Sequence, residues 1–412
     1  MGGGQAGLAV TYHLQRLGVE HLVLERGRIG ESWRTQRWDS FTMNTPNWMN
    51  GLPGADYDGG DPEGFMGRDE WVDRLERYVT RFGLPVRTGV GVTGLAAADG
   101  DGFAVRTDAP HLETIAARAV VVASGPLQAP KAPAAAKGLH PAIPGIHAAD
   151  YRDAAALPPG AVLVVGSAQS GCQIAEDLLD AGRRVYLSAG RAGRVPRRYR
   201  GRDILEWWRD LGLLDQRPET LEDPSARFAP QPQISGIGPR GHSLSLQHLA
   251  ERGVTLLGRW QGTEGGRLTF TDTVGEAVRF ADEKSAATKK GIDDYIAAHG
   301  LEAPAPEDDP GDRPHPDPAS LHSPATLDVR REGIGSVVWC IGFTADYSWI
   351  VLPACDENGA PIHHGGVSPV PGLYFTGLPW MSRRKSALIY GAAEDAGRIA
   401  GHVAEHLRPA GR

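Results

Sequence analysis

The chain opens on a glycine-rich turn, Gly2-Gly3-Gly4-Gln5-Ala6-Gly7, which runs straight into an apolar helical pattern from Leu8 to Leu17. Gly18 stops that helix, and His21-Leu22-Val23-Leu24-Glu25 reads as a strand closing on an acid. A second unit starts at Ala161-Val162-Leu163-Val164-Val165, a continuous apolar run suited to a parallel strand covered on both faces. It meets Gly166-Ser167-Ala168-Gln169-Ser170-Gly171, a helix through Leu179 and a strand over Val185–Leu187. Both turns place a glutamine and a small residue at the same points, so the pattern reads as one unit used twice.

Elsewhere the periodicity predicts an amphipathic helix over Arg68–Phe82 and strands over Gly102–Thr107 and Ala119–Ala123. The second of these strands ends at Ala123-Ser124-Gly125. Pro126–Pro144, with five prolines, predicts a connector. Residues 276–300 read as helix, and Ala303–Ala325, with seven prolines, as an exposed or disordered loop. A strand over Gly335–Ile341 ends Cys340-Ile341-Gly342; another covers Gly372–Thr376, and a terminal helix covers Ser386–His406. The expected class is α/β, with two Rossmann-like dinucleotide-binding domains, the second inserted in the first.

Composition narrows the choice. A chain of 412 residues with 41% hydrophobic and 23% charged positions suggests two to three soluble domains. A net charge of −7 gives no electrostatic footprint for nucleic acid. Cys172, Cys340 and Cys355 form no Cys-x-x-Cys pair, so neither a redox dithiol nor a metal site is indicated, which fits a cytoplasmic setting. No run of 18 apolar residues predicts a membrane helix, and the start lacks a signal-peptide pattern. Nothing bears on oligomeric state.

The turns carry the chemistry. Gly2, Gly4 and Gly7 permit a tight bend and close approach to a pyrophosphate, with Gln5 and Ala6 opening a helix whose free N–H groups and dipole favour phosphate. Glu25 follows where an acid would bond ribose hydroxyls. In the second turn Gly166, Ser167, Ala168, Gln169 and Ser170 repeat the cradle, with Ala168 replacing the middle glycine. Its second strand ends in Ser188-Ala189-Gly190-Arg191 with no acid, and Ser188, Arg191 and Arg197 suit a 2′-phosphate, so NADPH is expected over NADH.

These turns, together with Gly30-Glu31-Ser32-Trp33, Asn44-Thr45-Pro46, the two small-residue strand ends and Gly366-Val367-Ser368-Pro369-Val370-Pro371-Gly372-Leu373-Tyr374-Phe375-Thr376-Gly377, resemble the flavin-containing monooxygenases. The resemblance runs through nearly the whole chain. It implies FAD on Gly2–Gly7 with Glu25 at the ribose, and Arg26, Trp33, Arg34, Thr45, Gly125, Gly377 and Leu378 around the flavin. It implies Asn44 as the active-site asparagine, and NADPH on the second turn. The domains would be 1–150 and 331–412 for FAD and 151–330 for NADPH. The implied activity is insertion of one oxygen of O2 into a small-molecule substrate, at nitrogen, sulfur or a carbonyl, through a C4a-(hydro)peroxide of the flavin.

Two features depart from that family. The signature Phe-x-Gly-x-x-x-His-x-x-x-Trp is broken; the nearest text is Pro144-Gly145-Ile146-His147-Ala148-Ala149-Asp150-Tyr151, where His147 serves either the NADPH domain or a plain interdomain bond. Only Met1 stands where a central first strand should precede the FAD turn, so a gap is expected there, with a misplaced start as the preferred explanation. The rival functions are a flavin reductase or oxidase passing electrons to another acceptor, and an inactive nucleotide-binding relic. Trp38, Phe41, Trp48 and Met49 could shield the flavin or simply pack.

Overall fold

The computed structural model describes residues 1–131, 133, 138–139 and 143–408. The expected connector over 126–144 therefore lies partly outside the described residues. The helices are α1 (Gln5–Arg16), α2 (Glu31–Thr35), α3 (Arg68–Phe82), α4 (Gln169–Asp180), α5 (Ile204–Asp210), α6 (Leu246–Glu251), α7 (Val274–His299) and α8 (Ile389–His406). Helix α3 has the expected bounds, with a left-handed Gly83 ending it.

Two parallel sheets organise the chain, and their strand orders correspond. In the second, the order is Thr255–Leu257, Val185–Ser188, Ala161–Val165, Ile334–Trp339, Gly145–His147, all parallel. Ala161–Val165 lies in the middle, and all five of its residues are buried, as the unbroken apolar run predicts. Burying each such valine or leucine stabilises by about 1.5–3 kcal/mol. The first consists of two separate two-stranded parallel pairs, Val23–Leu24 with Val86–Arg87 and Val120–Val122 with Leu373–Phe375. Residues 1–2 lie between these two halves: Gly2 N donates to Leu24 O (2.8 Å), the Met1 amine to Val121 O (2.7 Å), and Ala123 N to Met1 O (2.8 Å). The expected gap is thus bridged at the end that carries the turn. The second sheet falls between residues 122 and 373 in the chain, so it is inserted in the first.

Two antiparallel three-stranded sheets flank this frame: 92–97, 103–107 and 114–117, and 260–264, 267–270 and 326–328; of their strands the periodicity predicts only 103–107, expected over Gly102–Thr107. Helix α1 packs along α8, which returns the last segment of chain to the first turn. The proline-rich segment 303–325 is the mostly exposed loop that was expected, but it is not loose. It has little regular structure, but it is anchored through buried Asp312, which accepts from Ser285 Oγ (2.6 Å), Lys289 Nζ (2.5 Å) and the Arg194 guanidinium. A buried carboxylate with three donors is a fixed point, not a loose loop.

Candidate active site

The two turns match residue for residue in their geometry. Gly2 has φ +109° and Gly166 φ +105°, in each case a conformation that favours glycine. A Cβ on Gly2 would stand 2.5 Å from Ala123 O, and one on Gly166 2.5 Å from Cys340 O. A Cβ on Gly7 would overlap Gly2 O, and one on Gly171 would overlap Gly166 O. The two small-residue strand ends, at Ala123 and Cys340, are therefore the walls against which the turns fold. Helices α1 and α4 begin after Gly4 and Ala168, both extended, and no side chain caps either N-terminus. Nothing stands within 4 Å of a Cβ placed on Gly4. The arrangement leaves helix-terminal N–H groups facing open space, the setting that receives a pyrophosphate. Both sites fit the dinucleotides expected of them.

Behind the cradle the two sites differ. Glu25 accepts from Gly3 N (2.6 Å) and Gly27 N (2.7 Å), so it braces the first turn while its carboxylate sits at the strand end. In the second site Ser167 takes over that bracing: its hydroxyl donates to Gly190 O (3.2 Å) and accepts from Gly190 N (3.0 Å). Ser188 is buried, and its hydroxyl is consumed between Gly258 O (2.9 Å) and Trp260 N (3.0 Å). Arg197 is buried as well, paired with Asp203. Burial pulls its pKa down and the Asp203 charge opposes that. The polar groups of both residues are thus already engaged within the protein. Arg194 is likewise buried, between Asp282 (2.6 Å) and Asp312. Arg191 is exposed, stacked over Phe280 at 4.3 Å, with no carboxylate partner among the described residues. Three arginines that look alike in the sequence are thus divided: two are structural, one is available.

The turn glutamines serve neighbouring loops. Gln5 Oε1 accepts from Trp33 Nε1 (3.1 Å), which ties α2 to the first turn. Gln169 Nε2 donates to Ser235 O (2.5 Å) and its Oε1 accepts from Ile234 N (2.6 Å). Buried Glu176 holds the same strap further along, accepting from Ile237 N (2.9 Å), His242 Nε2 (2.7 Å) and Arg252 Nη1 (2.5 Å). No pattern in the sequence announced this strap.

Asn44 is held against the inserted lobe. Its side-chain Oδ1 accepts from Gln173 Nε2 (3.2 Å) of α4, and its backbone oxygen accepts from Arg197 Nη1 (2.9 Å). The surrounding segment is stitched to the inserted lobe at further points: Ser40 Oγ to Asp177 (2.5 Å), and Phe65 N to Pro239 O (3.0 Å). Thr45 is turned inward, its hydroxyl donating to Asn50 Oδ1 (2.5 Å). Trp38, Phe41 and Met49 are core residues, and Trp48 packs edge-on against Tyr390, so this aromatic stretch packs. The sequence missed Gln173, whose only signal was a polar residue one position after Cys172 on a helix that is otherwise buried there.

Gly377 brings the late segment home: a Cβ there would lie 2.8 Å from the Ala6 Cβ, with Leu378 buried beside it. Gly125 O accepts from Gln128 Nε2 (2.8 Å) and Tyr347 Oη (3.2 Å). Arg26 is exposed, while Arg34 points away to Glu76 and to Ile29 O (3.1 Å). His147 Nε2 lies 3.0 Å from Gly342 O and its Nδ1 accepts from Ala149 N (3.0 Å), so it fastens the end of the strand that walls the second turn. No helix among the described residues is long and apolar enough to cross a membrane.

Comparison with known proteins agrees with this geometry. The pyridine nucleotide-disulphide oxidoreductase family matches residues 1–201. An uncharacterized CzcO-like oxidoreductase of Geobacillus kaustophilus is 32% identical over 409 residues, spanning 98% of this chain and 97% of that one. The indole-3-pyruvate monooxygenase YUCCA1 of Oryza sativa subsp. japonica is 27% identical across 74% of this chain and 77% of its own. Among solved structures, a mutant flavin monooxygenase from Stenotrophomonas maltophilia has the same fold at 18% identity, with a TM-score of 0.66 over 99% of this chain and 97% of its own. A bacillithiol disulfide reductase of Staphylococcus aureus follows at 14% identity and TM-score 0.62, over 99% and 97%. With two dinucleotide cradles in one polypeptide and a relative that matches from end to end, the chain belongs to the family of the CzcO-like oxidoreductases.

Proposed function

We propose that this chain is an FAD- and NADPH-dependent monooxygenase, placing one oxygen of O2 on a small molecule at a soft nitrogen or sulfur or at a carbonyl. Two cradles of the same design in one chain support the reading, together with Asn44, which is fixed by Gln173 and Arg197 with its Nδ2 unengaged among the described residues. Bound FAD would supply hydride acceptance and oxygen activation.

The rest is the work of the chain. Gly2–Gly7 and the start of α1 hold the FAD pyrophosphate, and Glu25 takes the ribose hydroxyls. Gly166–Ser170 hold the NADPH pyrophosphate, with Arg191 on the 2′-phosphate. Asn44 presents an amide N–H donor where oxygen chemistry would develop negative charge. Gly377 and Leu378 bring the late strand end against α1, which narrows water access.

A dithiol reductase is the alternative that the disulfide-reductase likeness raises. The thiols of Cys172 and Cys340 are buried, and burial pushes both pKa values up, which makes them poor nucleophiles. These thiols do not suit dithiol exchange, which leaves transfer to oxygen or to another acceptor. Anaerobic addition of NADPH to the yellow protein should bleach it, and admission of air with an oxidisable amine, thioether or ketone should yield oxygenated product. Bleaching followed only by H2O2 with every substrate class would overturn monooxygenation and leave a reductase.

A further inference from the structure

Asn44 belongs to the first lobe, yet both groups that fix it come from the inserted one. Gln173 sits on α4 with 1% of its surface exposed, one residue beyond Cys172, and its Nε2 donates to Asn44 Oδ1 at 3.2 Å. Arg197 Nη1 donates to the Asn44 carbonyl at 2.9 Å. The guanidinium is immobilised by Asp203 and by Phe65, whose ring lies 4.7 Å away. Backbone and side chain of one asparagine are therefore clamped separately.

The side-chain clamp has a direction. An amide has one acceptor end and one donor end. With Oδ1 committed to Gln173, the Nδ2 end is the one left to meet an incoming group, and no described residue accepts from it. Gln173 keeps its own Oε1 buried without a partner, which is a cost borne at this position. Turning the Gln173 amide over would force Asn44 to turn with it, exchanging donor for acceptor in the site. The two amides rotate as a pair.

We infer that Gln173 is a positioning residue that sets the polarity of Asn44, aiming its Nδ2 into the site and its Oδ1 away, with Arg197 holding the backbone beneath. This rests on Asn44 acting as a donor in the proposed reaction. Gln173→Glu keeps the shape but removes the donor; a carboxylate there accepts from Asn44 Nδ2 and inverts the amide. Gln173→Met keeps the volume and leaves the amide unfixed.

The chain contains four asparagines, Asn44, Asn47, Asn50 and Asn358, so selective ¹⁵N-asparagine labelling of the FAD-loaded protein gives four side-chain NH2 pairs. Loss of a signal in Asn44→Asp identifies the Asn44 pair. It should shift in both Gln173 variants, most in Gln173→Glu. Oxygenated product per NADPH should fall in the order wild type, Gln173→Met, Gln173→Glu. The Glu variant should lose about a hundredfold in the rate of product formation, as a donor displaced from its place would. An Asn44 pair that stays put in both variants overturns the inference, and so does a shifted pair with product yield unchanged. If Gln173→Glu does not fold, Gln173→Met decides alone. If wild-type protein makes no product from any substrate class, the proposed function fails, and the NH2 signals still report whether Gln173 orients Asn44.

Discussion

Gly171 packs so tightly against Gly166 that a methyl group on the first would overlap the carbonyl oxygen of the second. Gly7 and Gly2 repeat the relationship in the other cradle. Gly171→Ala should therefore push α4 off its turn and abolish NADPH-driven bleaching, while the purified protein stays yellow. Gly7→Ala should do the reverse and yield colourless protein. Absorbance at purification and after anaerobic NADPH addition reads both outcomes; a Gly171→Ala protein that bleaches at the wild-type rate would contradict this assignment.

Arg191 is the arginine of its cluster left exposed without a carboxylate. Its removal should cost a charge-assisted hydrogen bond to a 2′-phosphate, about 1.5–3 kcal/mol. Arg191→Ala should raise KM for NADPH roughly tenfold to a hundredfold and leave KM for NADH nearly unchanged. Arg197→Ala should instead lower stability, since its charge is consumed by Asp203. Steady-state kinetics with the two nucleotides separates these roles.

Asp312 holds Arg194, Lys289 and Ser285 at a buried point. Asp312→Ala leaves the buried guanidinium short of one partner and should destabilise by about 3 kcal/mol. Thermal unfolding measures it. A loss below about 0.5 kcal/mol would mean that the segment 303–325 is not anchored as described.

The strap over α4 predicts a pH dependence. The hydrogen bond to Glu176 raises the His242 pKa against the opposing effect of burial. A histidine raised on folding contributes stability that is complete below its unfolded value, about 6.5, and fades as pH climbs through the raised one. Glu176 is pushed upward by burial, but the His242 and Arg252 contacts win and hold it below the ordinary carboxylate range, so its share is lost only in acid. Between neutral and mildly alkaline pH, wild-type Tm should drop more than that of His242→Gln. Parallel curves would remove His242 from the strap.

Most of the frame is legible in the sequence, because a buried parallel strand, a glycine turn and an amphipathic helix each leave a local pattern. Ala161–Val165, α3 and both cradles follow directly from such patterns. The uses of the arginines do not. Arg191, Arg194 and Arg197 are three positions apart in one loop, and only tertiary contacts with Phe280, Asp312 and Asp203 tell them apart. Gln173 was hidden for the same reason: its partner is 129 positions away in the chain. Of the two antiparallel sheets only the strand at 103–107 was legible, because its neighbours are short, alternate weakly and are half exposed.

The stitches that join residues 40–65 to the inserted lobe, at Asp177, Gln173, Arg197 and Pro239, leave this segment little freedom of its own. Any shift of the inserted lobe against the first would carry Asn44 with it or break these contacts. The loop that bears Asn44 is thus, mechanically, an appendage of the lobe that carries the second cradle, although the chain reaches it long before that lobe begins.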